Sequence, residues 1–161
     1  MLAEIDKFQF RNAMSRLGAA VNVITTLGPT GPVGFAATAV CSVTDAPPTL
    51  LICLNQGSSV YSTVIASGVI CVNTLKAEHQ DIARIFGGKT PAEERFACGS
   101  WLSGLEGVPV LSDALLSLEC RVDTWQDVGT HRVLFCGVQG IRMAEEGGGL
   151  IYFDRQFLAV G

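Results

Sequence analysis

The chain has 161 residues, a formal net charge of −4, and only 16% charged side chains against 48% apolar ones. The acidic balance argues against nucleic acid or an anionic membrane surface as the main partner, and no apolar run approaches the ~18 residues of a membrane span. Glu4, Asp6 and Lys7 arrive too early for a signal peptide, so the cytoplasm is the expected compartment.

A single domain over 1–161 accounts for this length, and the high apolar share points to an oligomer interface or a ligand cavity. The first element is a helix over 6–17, with Asp6 as cap, Phe10, Ala13, Met14 and Leu17 at helical spacing, and Gly18 as the stop. Val21, Val23, Thr25 and Leu27 alternate as a strand, and Gly28-Pro-Thr-Gly-Pro32 turns it into a second strand over 33–43. That second strand places Phe35, Ala37, Ala39, Cys41 and Val43 on one face and Ala36, Thr38, Val40 and Ser42 on the other. Side chains this small let a flat, large molecule lie against the backbone.

Asp45-Ala-Pro-Pro48 is expected to break the pairing, and the apolar run over 49–54 reads as a strand buried on both faces. Asn55-Gln-Gly-Ser-Ser59 then opens a helix over 59–67, capped by Ser58 or Ser59 and ended by Gly68. Hydroxyls and free N–H groups at a helix start are the chemistry of an anion site. A strand over 69–74 follows, then a helix over 78–86 with Ile82, Ile85 and Phe86 inward, stopped by Gly87-Gly88. Thr90-Pro-Ala-Glu93 has the form of a capping box.

The C-terminal half reads as long antiparallel strands over 115–127, 131–143 and 150–153, with a glycine turn at 147–149. In the first of them Leu116, Leu118, Cys120 and Val122 alternate against Ser117, Glu119, Arg121 and Asp123. Many strands with few short helices predict a mainly β fold, a closed antiparallel barrel with peripheral helices.

Several familiar chemistries are excluded. The six cysteines (41, 53, 71, 98, 120 and 136) form no CxxC pair and read as small hydrophobes in a reduced core. No metal site is expected, since the two histidines stand 52 positions apart without a thiolate cluster. Gly87-Gly88-Lys89-Thr90 imitates the end of a P-loop, but Ala83 stands where the first glycine belongs and a helix precedes it. Lys89 either meets a phosphate as a point charge or is simply solvated. There is no dinucleotide fingerprint and no nucleophile elbow, which leaves a cofactor to carry the chemistry. His131 after Gly129-Thr130 is either a turn residue or a donor to a carboxamide or pyrophosphate. Asn73-Thr74 closes a strand where amide and hydroxyl hold either a turn or a ligand edge, and His79 reads as structural.

In order along the chain, Ala20-Val-Asn-Val-Ile-Thr-Thr26, Gly34-Phe-Ala-Ala-Thr-Ala-Val-Cys-Ser-Val-Thr44, Pro47-Pro-Thr-Leu50, Cys71-Val-Asn-Thr-Leu75, Phe86-Gly-Gly-Lys89, Glu94-Arg-Phe96, Gly129-Thr-His131 and Leu150-Ile-Tyr-Phe153 resemble the flavin reductase family. The likeness spans about residues 8–158 and is nearest to the small reductase partners of two-component aromatic hydroxylases. It implies an antiparallel Greek-key split barrel of the flavin-binding type, a homodimer, and flavin near the subunit interface. By this resemblance Ala36, Ala37, Thr38, Ala39 and Ser42 would line the ring and ribityl chain, and Asn55, Ser58 and Ser59, supported by Lys89, would take the phosphate. Asn73 and Leu75 would close the pocket. Gly129, Thr130, His131 and Tyr152 would lie on the nicotinamide side. Many members read Gly-Asp-His where this chain has Gly129-Thr130-His131, which leaves NADH or NADPH open as the donor.

The activity implied is reduction of FAD, or of FMN, with release of reduced flavin to a separate monooxygenase that hydroxylates aromatic compounds. Reduction of another acceptor, such as a corrinoid or ferric chelate, and a non-catalytic flavin-binding module are the alternatives.

Overall fold

Asp6 organises the first helix in the computed structural model, which describes residues 2–161. Its carboxylate accepts from the backbone N–H groups of Phe8 and Gln9 at 2.7 and 2.8 Å, and the Gln9 side chain accepts from the Asp6 N–H at 3.0 Å. This capping box heads α1 (Lys7–Met14), which is shorter than the sequence pattern suggests and buries none of its residues. Phe10 and Met14, the expected inner face, stand 57% and 43% exposed.

After β1 (Ala19–Ala20), β2 (Asn22–Gly28) and β3 (Gly31–Ala37) form the expected hairpin, from Asn22 opposite Ala37 to Gly28 opposite Gly31. The segment 33–43 is two strands rather than one. The Val40 N–H donates to the Thr38 carbonyl at 2.9 Å, the chain bends at Thr38-Ala39, and β4 (Val40–Asp45) begins. The two-face alternation read across 33–43 therefore stops at Ala37. Nor does Asp45-Ala-Pro-Pro48 break the pairing: Asp45 pairs with Pro48 as β4 turns into β5 (Pro48–Asn55). Pro48 is tolerated because it is the first strand residue.

The remaining elements are α2 (Tyr61–Ser67), β6 (Val69–Thr74), α3 (Gln80–Gly87), a 3-10 helix (Ala92–Ala97), β7 (Trp101–Ser103), a 3-10 turn (Leu105–Gly107), β8 (Pro109–Leu111), β9 (Leu116–Val128), β10 (His131–Met143), β11 (Gly149–Phe153) and β12 (Gln156–Val160). Gly68 ends α2 in the left-handed conformation, φ 66°. The expected capping box at Thr90 does not form; the 3-10 helix that starts there has no side-chain cap.

Seven strands make one antiparallel sheet in the order β3-β2-β6-β9-β10-β5-β4. Its first and last strands, β3 and β4, are consecutive in the chain and joined only by Thr38-Ala39. Three Cα steps span at most ~11 Å, so the sheet must curl until its edges stand side by side. The result is a split barrel whose seam is the Ala36–Ala39 region. The sheets β1-β11-β12 and β7-β8 and the helix α3 pack around it. No helix among the described residues is long and apolar enough to cross a membrane.

One core cluster, including Ile24, Ile52, Leu54, Ile70, Val72 and Leu134, joins the barrel strands to Val60 and Val64 at α2. A second, around Val23, Leu75, Ile82, Phe86, Leu111 and Leu150, joins the sheet to α3. β2 and β6 are buried on both faces over most of their length, whereas Leu51 and Cys53 of β5 stay half-buried. The polar positions of β9 also depart from expectation: Ser117 and Glu119 are buried. Glu119 accepts from the Leu105 N–H at 2.6 Å and pairs with Arg142 at 3.5 Å, so the charge is partnered at the edge of the β7–β8 layer.

Candidate functional site

The seam of the barrel opens into a cleft. Two cavities, about 460 Å³ and 340 Å³, meet along Ala36, Ala37, Thr38, Gly87 and Gly88. Both glycines follow from close approach rather than flexibility. A Cβ on Gly88 would stand 2.6 Å from the Arg84 carbonyl oxygen, and one on Gly87 would stand 3.3 Å from the Ala36 Cβ. The cleft wall there is thus backbone and methyl groups, against which a planar ring system can lie.

The smaller cavity carries the polar groups. Asn55 ends β5, and its side-chain oxygen accepts from the Gly57 N–H at 2.8 Å, shaping the turn that presents Ser58 and Ser59. These serines do not cap α2 as expected. Val60 holds the cap position without a side-chain bond, and the Ser58 hydroxyl only accepts weakly from Val60 N–H at 3.4 Å. Both hydroxyls remain available to a ligand, while α2, beginning at Tyr61, is too short and too displaced to add much dipole. Opposite Asn55 in the ladder is His131, which lines the same cavity. Thr130 Oγ1 lies 2.9 Å from His131 Nδ1. With the hydroxyl donating, Nε2 carries the ring proton and is the donor available to a ligand.

The cation of this cavity is Arg95, within the Glu94-Arg-Phe96 motif, a residue that no local signal in the sequence marks for a role. Its Nε donates to the Thr90 carbonyl at 3.0 Å and an Nη to the Gly34 carbonyl at 2.8 Å, pinning the 3-10 helix to β3. Lys89 is exposed and lies outside both cavities. Phe86, at the end of α3, packs with Phe96 and Trp101 at ring centroids 4.9–5.6 Å apart, which steadies the glycine turn that follows it. Cys53 also lines the cavity, but burial pushes its thiol pKa up, away from the reactive thiolate.

Of the residues singled out in the sequence, the structure gathers Ala36, Ala37, Thr38, Ala39, Asn55, Ser58, Ser59 and His131 on the smaller cavity, and Tyr152 on the larger. Gly129, at φ 56°, and Thr130 form the exposed turn behind His131. Ser42 is exposed on the edge strand β4, away from the cleft. Asn73 and Leu75 are not in the cleft at all. Leu75 is fully buried in the second core cluster. The Asn73 amide donates to the Val23 carbonyl at 3.0 Å and accepts from Leu111 N–H at 2.8 Å and from the Ser117 hydroxyl at 3.2 Å. Its polar atoms tie β2, β8 and β9 to β6 and are taken up by those bonds. The larger cavity adds Arg84, Arg155 and Phe157, none of which the sequence had flagged.

The flavin reductase like domain matches residues 14–161 of this chain. The chain belongs to the flavin reductase family. The FMN reductase (NADH) RutF 2 of Rhizobium rhizogenes is 59% identical over 154 residues, covering 96% of this chain and 89% of that protein. A candidate flavin reductase of Haemophilus somnus superposes with a TM-score of 0.95 at 40% identity, covering 97% of this chain and all of that one. A homologue of nitrilotriacetate monooxygenase component B from Mycobacterium thermoresistibile does so with a TM-score of 0.91 at 28% identity, covering 97% and 87%. The split barrel anticipated from the motifs is the fold of this family, and the chain is an oxidoreductase that reduces flavin.

Proposed function

We propose that this chain uses NADH to reduce FMN in the seam cleft and releases the reduced flavin to a separate monooxygenase. The observation that carries this reading is the bed of Ala36, Ala37, Thr38, Gly87 and Gly88, where a larger wall would collide with the protein's own backbone, next to a cavity rich in donors. A planar ring fits the bed, and a phosphate monoester fits Ser58, Ser59, Asn55 and Arg95, with the guanidinium replacing the lysine expected there. FMN is favoured over the expected FAD because the relative at 59% identity is named an FMN reductase, and the same name favours NADH.

Bound flavin supplies a hydride acceptor at N5, so no protein nucleophile is needed. The residues orient and exclude water. The Thr130 hydroxyl fixes the His131 ring, and His131 donates to the carboxamide or pyrophosphate of the nicotinamide ligand. Tyr152 bounds the cleft from the other cavity, and Phe86 with its aromatic neighbours keeps the Gly87–Gly88 wall in place. The open cleft fits a flavin that leaves after reduction. A second copy of the chain would cover the apolar stripe of α1, whose Phe10, Met14 and following Leu17 stand exposed in one chain. Aromatic hydroxylation is one reaction such a partner oxygenase could run; the nitrilotriacetate in the Mycobacterium homologue's name widens the class beyond aromatics.

The test is NADH oxidation measured while free FMN and FAD are varied separately. The reading expects a rate that climbs and saturates with FMN. NADH oxidation that ignores free flavin and follows a ferric chelate or corrinoid would favour the other-acceptor reading, and a bound flavin that NADH cannot bleach would favour a binding module.

A further inference from the structure

We propose that a cavity apart from the seam, walled by Lys76, Asp113 and Arg142, binds a small apolar amino acid as its zwitterion, and that this ligand weakens flavin binding. The second half rests on the flavin reading above; the first half does not. The cavity measures about 190 Å³ and lies between the β8–β9 connection and the end of β10. It shares no lining residue with either cavity of the cleft. An apolar cavity of ~150 Å³ takes up benzene, so this one suits about eight heavy atoms, the size of a branched amino acid.

The wall offers charges of both signs. Among the described residues Lys76 makes no ion pair. Arg142 meets Glu119 through Nε at 3.5 Å, which leaves the rest of its guanidinium fork open. Asp113 is held through Oδ2, 3.2 Å from His79 Nε2, and its side chain is 61% exposed. A ligand carboxylate on Lys76 and Arg142, with its ammonium on Asp113, satisfies all three charges. A plain anion or a plain cation leaves a like charge beside it, which selects against both. Leu102, Leu111, Ala114 and Met143 give the apolar side chain its contact. The floor is already in place: the Leu111 N–H and the Ser117 hydroxyl donate to Asn73 at 2.8 and 3.2 Å, and the Leu115 N–H donates to the Thr74 carbonyl at 2.9 Å. Little ordering is then needed on binding.

His79 connects this cavity to the cleft. The residue is buried and holds the N-cap position of α3. Its Nδ1 accepts from the Lys76 N–H at 3.1 Å, so Nε2 carries the ring proton and donates to Asp113. The other end of α3 is the Gly87–Gly88 wall of the flavin bed, and Leu111 shares a core cluster with Ile82 and Phe86 of the same helix. An ammonium on Asp113 draws the carboxylate away from His79 and loosens the start of a helix only 8 residues long. Flavin needs the far end of that helix in place. Flavin and the amino acid therefore oppose each other, by the same factor in both directions.

The test is a calorimetric titration of L-valine into the flavin-free chain, beside isovalerate, which lacks the ammonium, and isobutylamine, which lacks the carboxylate. Valine should bind with a dissociation constant below about 1 mM, about tenfold or more tighter than either analogue. Lys76→Met and Asp113→Asn should each lose about tenfold or more of that affinity, with circular dichroism unchanged, since asparagine still accepts from His79. In the wild type, saturating valine should shift the His79 ring resonance and raise the FMN dissociation constant about fivefold or more. In Lys76→Met it should do neither, and FMN alone should bind that variant as it binds the wild type. No valine binding, or equal binding of isovalerate, overturns the site. Valine binding that leaves the His79 resonance and the FMN constant where they were overturns the coupling. A chain that binds valine and shifts the His79 resonance but takes up no FMN would sink the flavin reading and leave the amino acid site intact.

Discussion

Arg132 grips Asp127 through Nε at 2.6 Å and an Nη at 2.8 Å while lying over the rings of Tyr61 and Trp125, 5.6 and 5.2 Å from their centroids. Hydrogen bonding from Arg132 holds the Asp127 carboxyl below its usual range. The Gln56 N–H donates to the Thr130 carbonyl at 3.0 Å. One guanidinium therefore braces the β9–β10 hairpin against Tyr61, the first residue of α2, and the same hairpin holds the turn before Ser58 and Ser59 through the Thr130 carbonyl. Arg132→Met should weaken FMN binding about three- to tenfold with a smaller change in kcat, and Arg132→Lys should restore little, because lysine cannot make the paired contact. Fluorescence titration checks it; an unchanged FMN dissociation constant would separate this clamp from the site.

His131 and the serines share a cavity but are assigned to different ligands. His131→Ala should raise the KM for NADH or lower kcat by tenfold or more, on the order of 1.4 kcal/mol, with FMN affinity nearly unchanged. Thr130→Val, which removes the hydroxyl beside Nδ1, should have a smaller effect in the same direction. Steady-state kinetics beside flavin titration decide this, and equal loss of NADH use and flavin binding would remove His131 from the nicotinamide side.

Asn73 offers the opposite outcome. Truncation to alanine leaves buried donors and acceptors on Val23, Leu111 and Ser117 without their partner. The expected cost is about 3 kcal/mol in urea unfolding, with FMN affinity of the folded protein intact. Normal stability with lost flavin affinity would return Asn73 to the ligand.

Alkaline pH probes the core thiols. Burial pushes the thiols of Cys120 and Cys136 up to about 12 and raises that of Cys71 as well. Unfolded thiols ionise from ~8.5, so above that value the unfolded chain binds fewer protons than the folded one and stability falls with pH. The contribution is whole below the unfolded value and is lost toward 12, at up to about 1.4 kcal/mol per pH unit for each thiol. Denaturant midpoints between pH 8 and 11 should decline, less steeply in Cys120→Ala. A flat profile would mean that these thiols reach solvent in the folded protein.

The sequence made the barrel legible through its alternating and apolar strands, and the cleft through the small residues at Ala36–Ala39 and the Asn55–Ser59 turn. What it concealed is tertiary. Nothing local marks the bend at Thr38-Ala39, because small residues continue a strand as readily as they break one. Asn73 resembles a ligand residue until Leu111 and Ser117, far along the chain, occupy its amide. Lys89 and Arg95 are equally basic in the sequence; only the anchors at Thr90 and Gly34 carry the arginine into the cleft. Arg155 is inconspicuous until the turn between β11 and β12 swings it beside Arg84. The exposed stripe of α1 shows the same limit, since its periodicity reports an apolar face without saying which surface covers it.

The most direct measurement is an equilibrium titration of FMN into wild type and Gly88→Ala, whose added methyl presses on the Arg84 carbonyl at the cleft wall. The account predicts saturable binding of one FMN per wild-type chain and clearly weaker binding by the folded variant. FMN binding of equal strength in both proteins, or none in the wild type, would contradict the placement of flavin on the seam.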